Sequence, residues 1–193
     1  MITAELARFA VSAEPNAGVR AMMRLSMFDW AICGYAGRNE PVARLVRDMV
    51  GAEGGAEQAA LFGQTVRLPA RAAALANGTA SHALDYDDTH FGHIGHPSVA
   101  VIPAALAVAE RDGTGGGAFL DACVIGAELS IRVGEWLGRS HYRTGFHQTA
   151  TAGAFGAAAA AGRLMRLDDA RMAHALGLAA RRKRPPITLG AAG

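Results

Sequence analysis

The sequence predicts an all-α, bundle-like domain, and three observations carry that prediction. Ala and Leu, which lose little on entering a helix, dominate, while the β-branched runs that favour strand are rare. Apolar residues recur at helical spacing in one segment after another. Proline, glycine and aspartate stand where such segments should begin and end. The 24 glycines would be costly inside isolated helices. They imply frequent helix ends, or helices packed backbone to backbone.

The first helix is expected over about residues 19–35, where Met22, Met23, Leu25, Phe28, Trp30 and Ile32 belong to one broad stripe. Gly34 and Gly37 mark its end. Pro41 suits the first residue of a second helix that runs to Val50. Residues 51–55 read as a turn. Residues 63–68 read as a short extended piece, with Val66 and Leu68 alternating against polar neighbours before Pro69. A third helix covers about 70–84 and enters a polar segment at 85–95. Pro97 opens a fourth helix. A glycine-rich turn at 112–117 leads to a long fifth helix, about 118–137. After a loop at 138–146, a very Ala-rich sixth helix covers about 149–165. Asp168 and Asp169 then cap a seventh, 170–180. Trp30 and Trp136 both sit at helical spacing and are expected in the core.

Residues 1–180 thus read as one domain, and 181–193 as a tail of different character. The tail opens with Arg181, Arg182, Lys183 and Arg184 and continues with Pro185 and Pro186, which stop a helix. Eighteen of the nineteen basic residues are Arg, and the single Lys lies in this run. Such a change reads as a shifted reading frame or an artificial end; the alternative is an ordinary charged tail. Without the run, 15 basic residues face 17 acidic ones, so the formal charge of +2 hides a mildly acidic body. No footprint for nucleic acid remains. Cys33 and Cys123 lie in apolar helical contexts and read as buried free thiols of a reducing compartment. No stretch of eighteen unbroken apolar residues and no leader pattern is seen, so a cytoplasmic protein without membrane contact is the expectation.

One stretch carries the chemistry. Residues 77–98 hold four of the seven histidines (His82, His90, His93, His96) and three acids, Asp85, Asp87 and Asp88. Groups that titrate near neutral pH suit proton transfer, and imidazole is the natural one. His96 precedes Pro97 and so lies near a helix start; His147 stands similarly ahead of the Ala-rich helix. Helix N-termini favour bound carboxylates and keep a nearby imidazole neutral. Two such ends converging would make a pocket for a polycarboxylate. The competing metal reading takes His90, His93 and His96 with Asp87 and Asp88 as ligands, but that spacing matches no standard site. For His82, Asp88 and His90, helix capping and loop bracing are equally good explanations, and for His93 a better one. Asp85, His96 and His147 are the favoured functional residues.

These residues carry a resemblance. The segment 77–110, NGTASHALDYDDTHFGHIGHPSVAVIPAALAVAE, resembles the signature of the MmgE/PrpD family of 2-methylcitrate dehydratase-like proteins. The segment 144–168, TGFHQTATAGAFGAAAAAGRLMRLD, resembles a second stretch of it, with Gln148 where many members have Pro. The resemblance implies the N-terminal part of a large helical domain, a cytoplasmic homodimer in full-length relatives, and chemistry on small polycarboxylates without metal or organic cofactor. It implies that Asp85, His96 and His147 are catalytic and that Thr89 binds substrate. Dehydration of 2-methylcitrate, in propionate metabolism, is the leading activity. A cis-aconitate decarboxylase, an iminodisuccinate epimerase and a non-catalytic helical remnant are the alternatives. The family also draws lysines and a tyrosine from later segments, to which nothing here corresponds, so the chain is expected to be truncated and to have little or no activity.

Overall fold

A computed structural model describes residues 2–181. Its order is α1 (Ile2–Ser12), α2 (Ala17–Gly37), α3 (Pro41–Glu53), β1 (Ala59–Ala60), β2 (Arg67–Leu68), α4 (Ala70–His82), α5 (Ser98–Asp112), α6 (Gly116–Arg143), α7 (Gln148–Thr151), α8 (Gly153–Leu164) and α9 (Asp169–Ala180). The fold is helical, as predicted. The basic run beyond Arg181, and the reading of a changed frame, fall outside the described residues.

Local chemistry accounts for most starts and stops. The Asn16 side chain accepts from the Val19 N–H at 3.1 Å and caps α2. Pro41 is the first residue of α3. Asp168 caps α9 by accepting from the Arg171 N–H at 2.8 Å. Helix α1 was not foreseen. Its fully buried face is only Ala7 and Ala10, too small to mark a stripe, and it is held by packing on α9, α8 and α6. The extended piece is shorter than expected. Residues 67–68 pair antiparallel with 59–60, and the buried Asn77 side chain holds that turn by accepting from Phe62 N–H and donating to the Ala60 carbonyl.

The centre of the molecule is the crossing of α6 over α8, with α5 packed beside both. Val101, Ile102, Cys123 and Val124 fill one side; Ile125, Leu129, Met172 and Leu176 fill the other. Each fully buried Leu or Ile contributes about 2 kcal/mol from area removed from water. Glycine makes the crossing possible. A Cβ at Gly126 would lie 2.7 Å from the Gly156 carbonyl oxygen, and one at Gly156 would lie 2.5 Å from that of Gly126. This is the backbone-to-backbone packing that the composition implied.

Cys33 and Cys123 are buried and free, and burial pushes both thiols up in pKa. Trp30 is buried, but Trp136 is 70% exposed, contrary to expectation. Residue 136 lies on the same face as Leu129 and Val133, but the buried stretch of α6 ends at Gly134. On α2 the broad stripe divides between two faces. Met23, Trp30 and Cys33 face inward while Met22, Leu25, Phe28 and Ile32 are exposed. No helix among the described residues is long and apolar enough to cross a membrane.

Candidate active site

The polar segment after α4 folds into a tight structure in which most groups have a partner. Asp85 adopts a left-handed backbone at φ 56°, which Asp tolerates better than most residues. Asp88 accepts from both the N–H (3.2 Å) and the hydroxyl (2.5 Å) of Ser98 at the start of α5, and its own N–H donates to Asp29. His90 pairs with Gly95 in an isolated bridge, and its Nδ1 accepts from the His93 N–H at 3.1 Å. Asp88 and His90 therefore brace the loop, as the plainer reading had it.

His96 is held from two sides. Its Nδ1 lies 3.0 Å from the Asp87 main-chain oxygen. A carbonyl can only accept, so Nδ1 carries the hydrogen and Nε2 is the atom left to gain or lose a proton. That Nε2 stands 3.3 Å from Oδ1 of Asp85, whose side chain is 77% exposed. The His96 backbone N–H donates to the Thr149 hydroxyl at 3.0 Å. This bond ties the acidic turn to the segment that carries His147.

The second flank begins where α6 breaks. Gly138, at φ 67°, takes a conformation open to glycine, and the chain continues helically through Arg139 and Tyr142 to Arg143. The buried Gln148 side chain donates to the Gly138 carbonyl at 3.0 Å and fixes the break. The expected single helix over 149–165 is divided into α7 and α8. His147, exposed, directly precedes α7 and rests against the Tyr142 ring, with centroids 5.1 Å apart.

The two flanks enclose a cavity of about 550 Å³. Asp85, Thr89, His96 and His147 all line it, together with His82, Arg139, Tyr142 and Thr149. All four residues singled out in the sequence thus meet at one hollow. A neighbouring, mostly apolar hollow of about 660 Å³ shares His82, His147 and Thr149 with it. Arg139 and Tyr142 were not anticipated, because neither belongs to the dense segment and only the break at Gly138 turns them toward it. The expected pocket between two helix ends is corrected in part. Asp88 already serves the start of α5, and α7 is a single turn, so the imidazoles and Arg139 are what face the hollow.

Two other histidines differ sharply. His93 is fully buried against α6, where a Cβ at Gly134 would collide with its Nδ1. Burial, then the nearby His90, lowers its pKa to about 4, although the Ser130 backbone favours the charged form. His82 donates through Nδ1 to Asp87 Oδ1 at 2.8 Å, and this hydrogen bond raises its pKa. The ligand set foreseen for a metal does not converge, since His93 is enclosed and His90 is engaged with its backbone. A different set does: donor atoms of His82, Asp85, Asp87 and His96 lie within 4.8 Å of one another. In that set both His96 nitrogens already face oxygens of the chain.

Comparison with known proteins was made on this framework. Residues 4–192 match the MmgE/PrpD N-terminal domain, a match that continues into the stretch read from the sequence as a separate tail. A cis-aconitate decarboxylase-like protein, oryM, of Aspergillus oryzae is 28% identical over 189 residues, which cover 92% of this chain and 39% of that protein. Human cis-aconitate decarboxylase is 34% identical over 119 residues, 59% of this chain and 24% of that protein. The chain therefore spans well under half the length of either relative.

Proposed function

The chain belongs to the MmgE/PrpD family, and on that premise we propose that it carries part of a site that moves a proton on a small polycarboxylate, with decarboxylation of a cis-aconitate-like acid as the leading reaction. The sequence reading put dehydration of 2-methylcitrate first. Both relatives are named for cis-aconitate decarboxylation, which supports its alternative instead. The observation that carries the proposal is the gathering of Asp85, Thr89, His96 and His147 around one hollow with Arg139 beside them.

The chemistry asks for a proton donor. When a carboxylate of an unsaturated tricarboxylic acid leaves as carbon dioxide, the carbon–carbon bond breaks and its electron pair passes into the conjugated system. A carbon then takes a proton. An imidazolium with its Nε2 facing the hollow can supply that proton, and Asp85 beside His96 can return one afterwards. Thr89 and Arg139 are suited to binding carboxylates, Arg139 with paired N–H donors. Dehydration uses the same groups differently, with a base taking the proton next to a carboxylate and an acid assisting the leaving hydroxide.

A substrate of charge about −3 requires several cations, and uncompensated burial of such charge is costly. Arg139 is the one permanent cation among the described residues lining the hollow. The 193-residue chain is therefore expected to turn over substrate poorly. The test is carbon dioxide release from cis-aconitate, measured beside hydration and dehydration of 2-methylcitrate. Release above background that falls at least tenfold in both His96→Gln and His147→Gln supports decarboxylation. Dehydration of 2-methylcitrate at an ordinary enzymatic rate would overturn the preference for decarboxylation and the expectation of poor turnover. Release unchanged in both variants would overturn the site.

A further inference from the structure

We infer that Asp87 is a positioning residue that holds His82 and His96 as a pair, each with its Nδ1 turned inward and its Nε2 turned outward. The inference rests on the proposed proton-transfer site and adds a second imidazole to it. Asp87 is the buried member of the acidic turn: its side chain is wholly enclosed, while that of Asp85 is 77% exposed. One carboxylate oxygen accepts from His82 Nδ1 at 2.8 Å. The other lies 3.3 Å from His96 Nδ1, beside the 3.0 Å bond from that same nitrogen to the Asp87 carbonyl. That second oxygen is buried and makes no well-formed hydrogen bond of its own. The two rings meet edge to face with centroids 4.8 Å apart.

This arrangement has a chemical consequence. Free histidine in water prefers its hydrogen on Nε2. A buried acceptor facing Nδ1 reverses that preference, because leaving the carboxylate without a donor is costly. Both rings then present a bare Nε2 when neutral. His96 directs it toward Asp85, and His82 lies on both hollows, where it can exchange a proton with anything bound in either. Asp87 itself lines neither hollow and acts through the two rings. The plainer reading of His82 as a brace for the loop explains the bond to Asp87. It does not explain why a single buried carboxylate faces two imidazoles that open on the same cavity.

The test is the tautomer of each ring in the ligand-free chain, labelled with nitrogen-15 at histidine and recorded at a pH above the titration of both. The expected spectrum places the hydrogen of His82 and of His96 on Nδ1. In Asp87→Asn an amide N–H replaces one acceptor oxygen. The Nδ1–H population of His82 is then expected to fall at least twofold, while the main-chain carbonyl still holds His96. A wild-type His82 with its hydrogen on Nε2 overturns the inference, and that result requires no variant to fold. So does an Asp87→Asn chain with unchanged helical content and unchanged His82 tautomer. Since no substrate enters the measurement, carbon dioxide release left unchanged by His96→Gln and His147→Gln, alongside the expected tautomers, would sink the proposed reaction and leave the role of Asp87 standing.

Discussion

Among the seams of the described residues that bring backbone against backbone, two are built from opposite materials. Where α6 crosses α8, Gly126 and Gly156 face each other among Val101, Ser130 and Ala160. Where the acidic turn meets the His147 segment, a Cβ on Gly95 would lie 2.7 Å from the Thr149 hydroxyl and 2.8 Å from its nitrogen. The first seam is closed and mostly apolar, and all it can supply is cohesion. The second is polar and half open, and its hydrogen bonds fix rings that border a hollow. Close approach buys stability in one place and position in the other.

The largest predicted effect concerns His93, which lies between the seams. Its folded-state pKa of about 4 is below its ordinary 6.5. The unfolded chain therefore binds more protons between those values. Stability is full above about pH 6.5 and is lost as the pH falls toward 4, by about 3 kcal/mol in all. Urea unfolding across that range should show the slope, and a flat profile would mean that the ring is less enclosed than described. Next comes Gly126→Ala. Helix propensity alone would favour the change by about 1 kcal/mol. A Cβ 2.7 Å from a backbone oxygen cannot be relieved by a rotamer, so a net loss of about 2 kcal/mol is expected in the same assay.

Gly95→Ala is the counterpart at the other seam. It should cost only about 1 kcal/mol, because the flanks can part into solvent. Yet parting them breaks the bond from His96 to Thr149, so any ligand response shared by residues 96 and 147 should disappear. A variant that keeps both the stability and the shared response would show that the seam does not position the site. The smallest effect is that of His82. Its raised pKa means a contribution present at pH below the ordinary value and lost as the pH rises through the raised one, opposite in sign to His93. The ring is 40% exposed, so the contribution should be slight and visible only as a shallow decline in His82-dependent stability on the alkaline side.

Much of this was legible in the residues. Helix starts at Pro41 and Asp168 rest on local chemistry, which a sequence displays directly, whereas the Asn16 cap lies ahead of the start expected near residue 19. The gathering of Asp85, Thr89, His96 and His147 was legible through helix-start position and resemblance. What could not be read was set by contacts distant in sequence. Helix α1 is defined by α9, more than 150 residues away. Trp136 is exposed because the covered part of α6 ends at Gly134, and periodicity alone does not show where a helix runs past its neighbours. Arg139 and Tyr142 join the hollow only because Gly138 breaks the helix and Gln148 holds the break. Asp87 carries no label that separates it from Asp85; only the fold makes one carboxylate buried and the other exposed.

The central claim is that the hollow between the acidic turn and the His147 segment receives a polycarboxylate. Titrating the nitrogen-15-labelled chain with cis-aconitate tests it most directly. Shifts concentrated at Thr89, His96, Arg139 and His147, and weakened by Arg139→Gln, are the predicted result. Shifts centred instead on the separate hollow of about 630 Å³ lined by Asp121, Arg163 and Arg166, with the imidazoles of residues 96 and 147 unmoved, would contradict it.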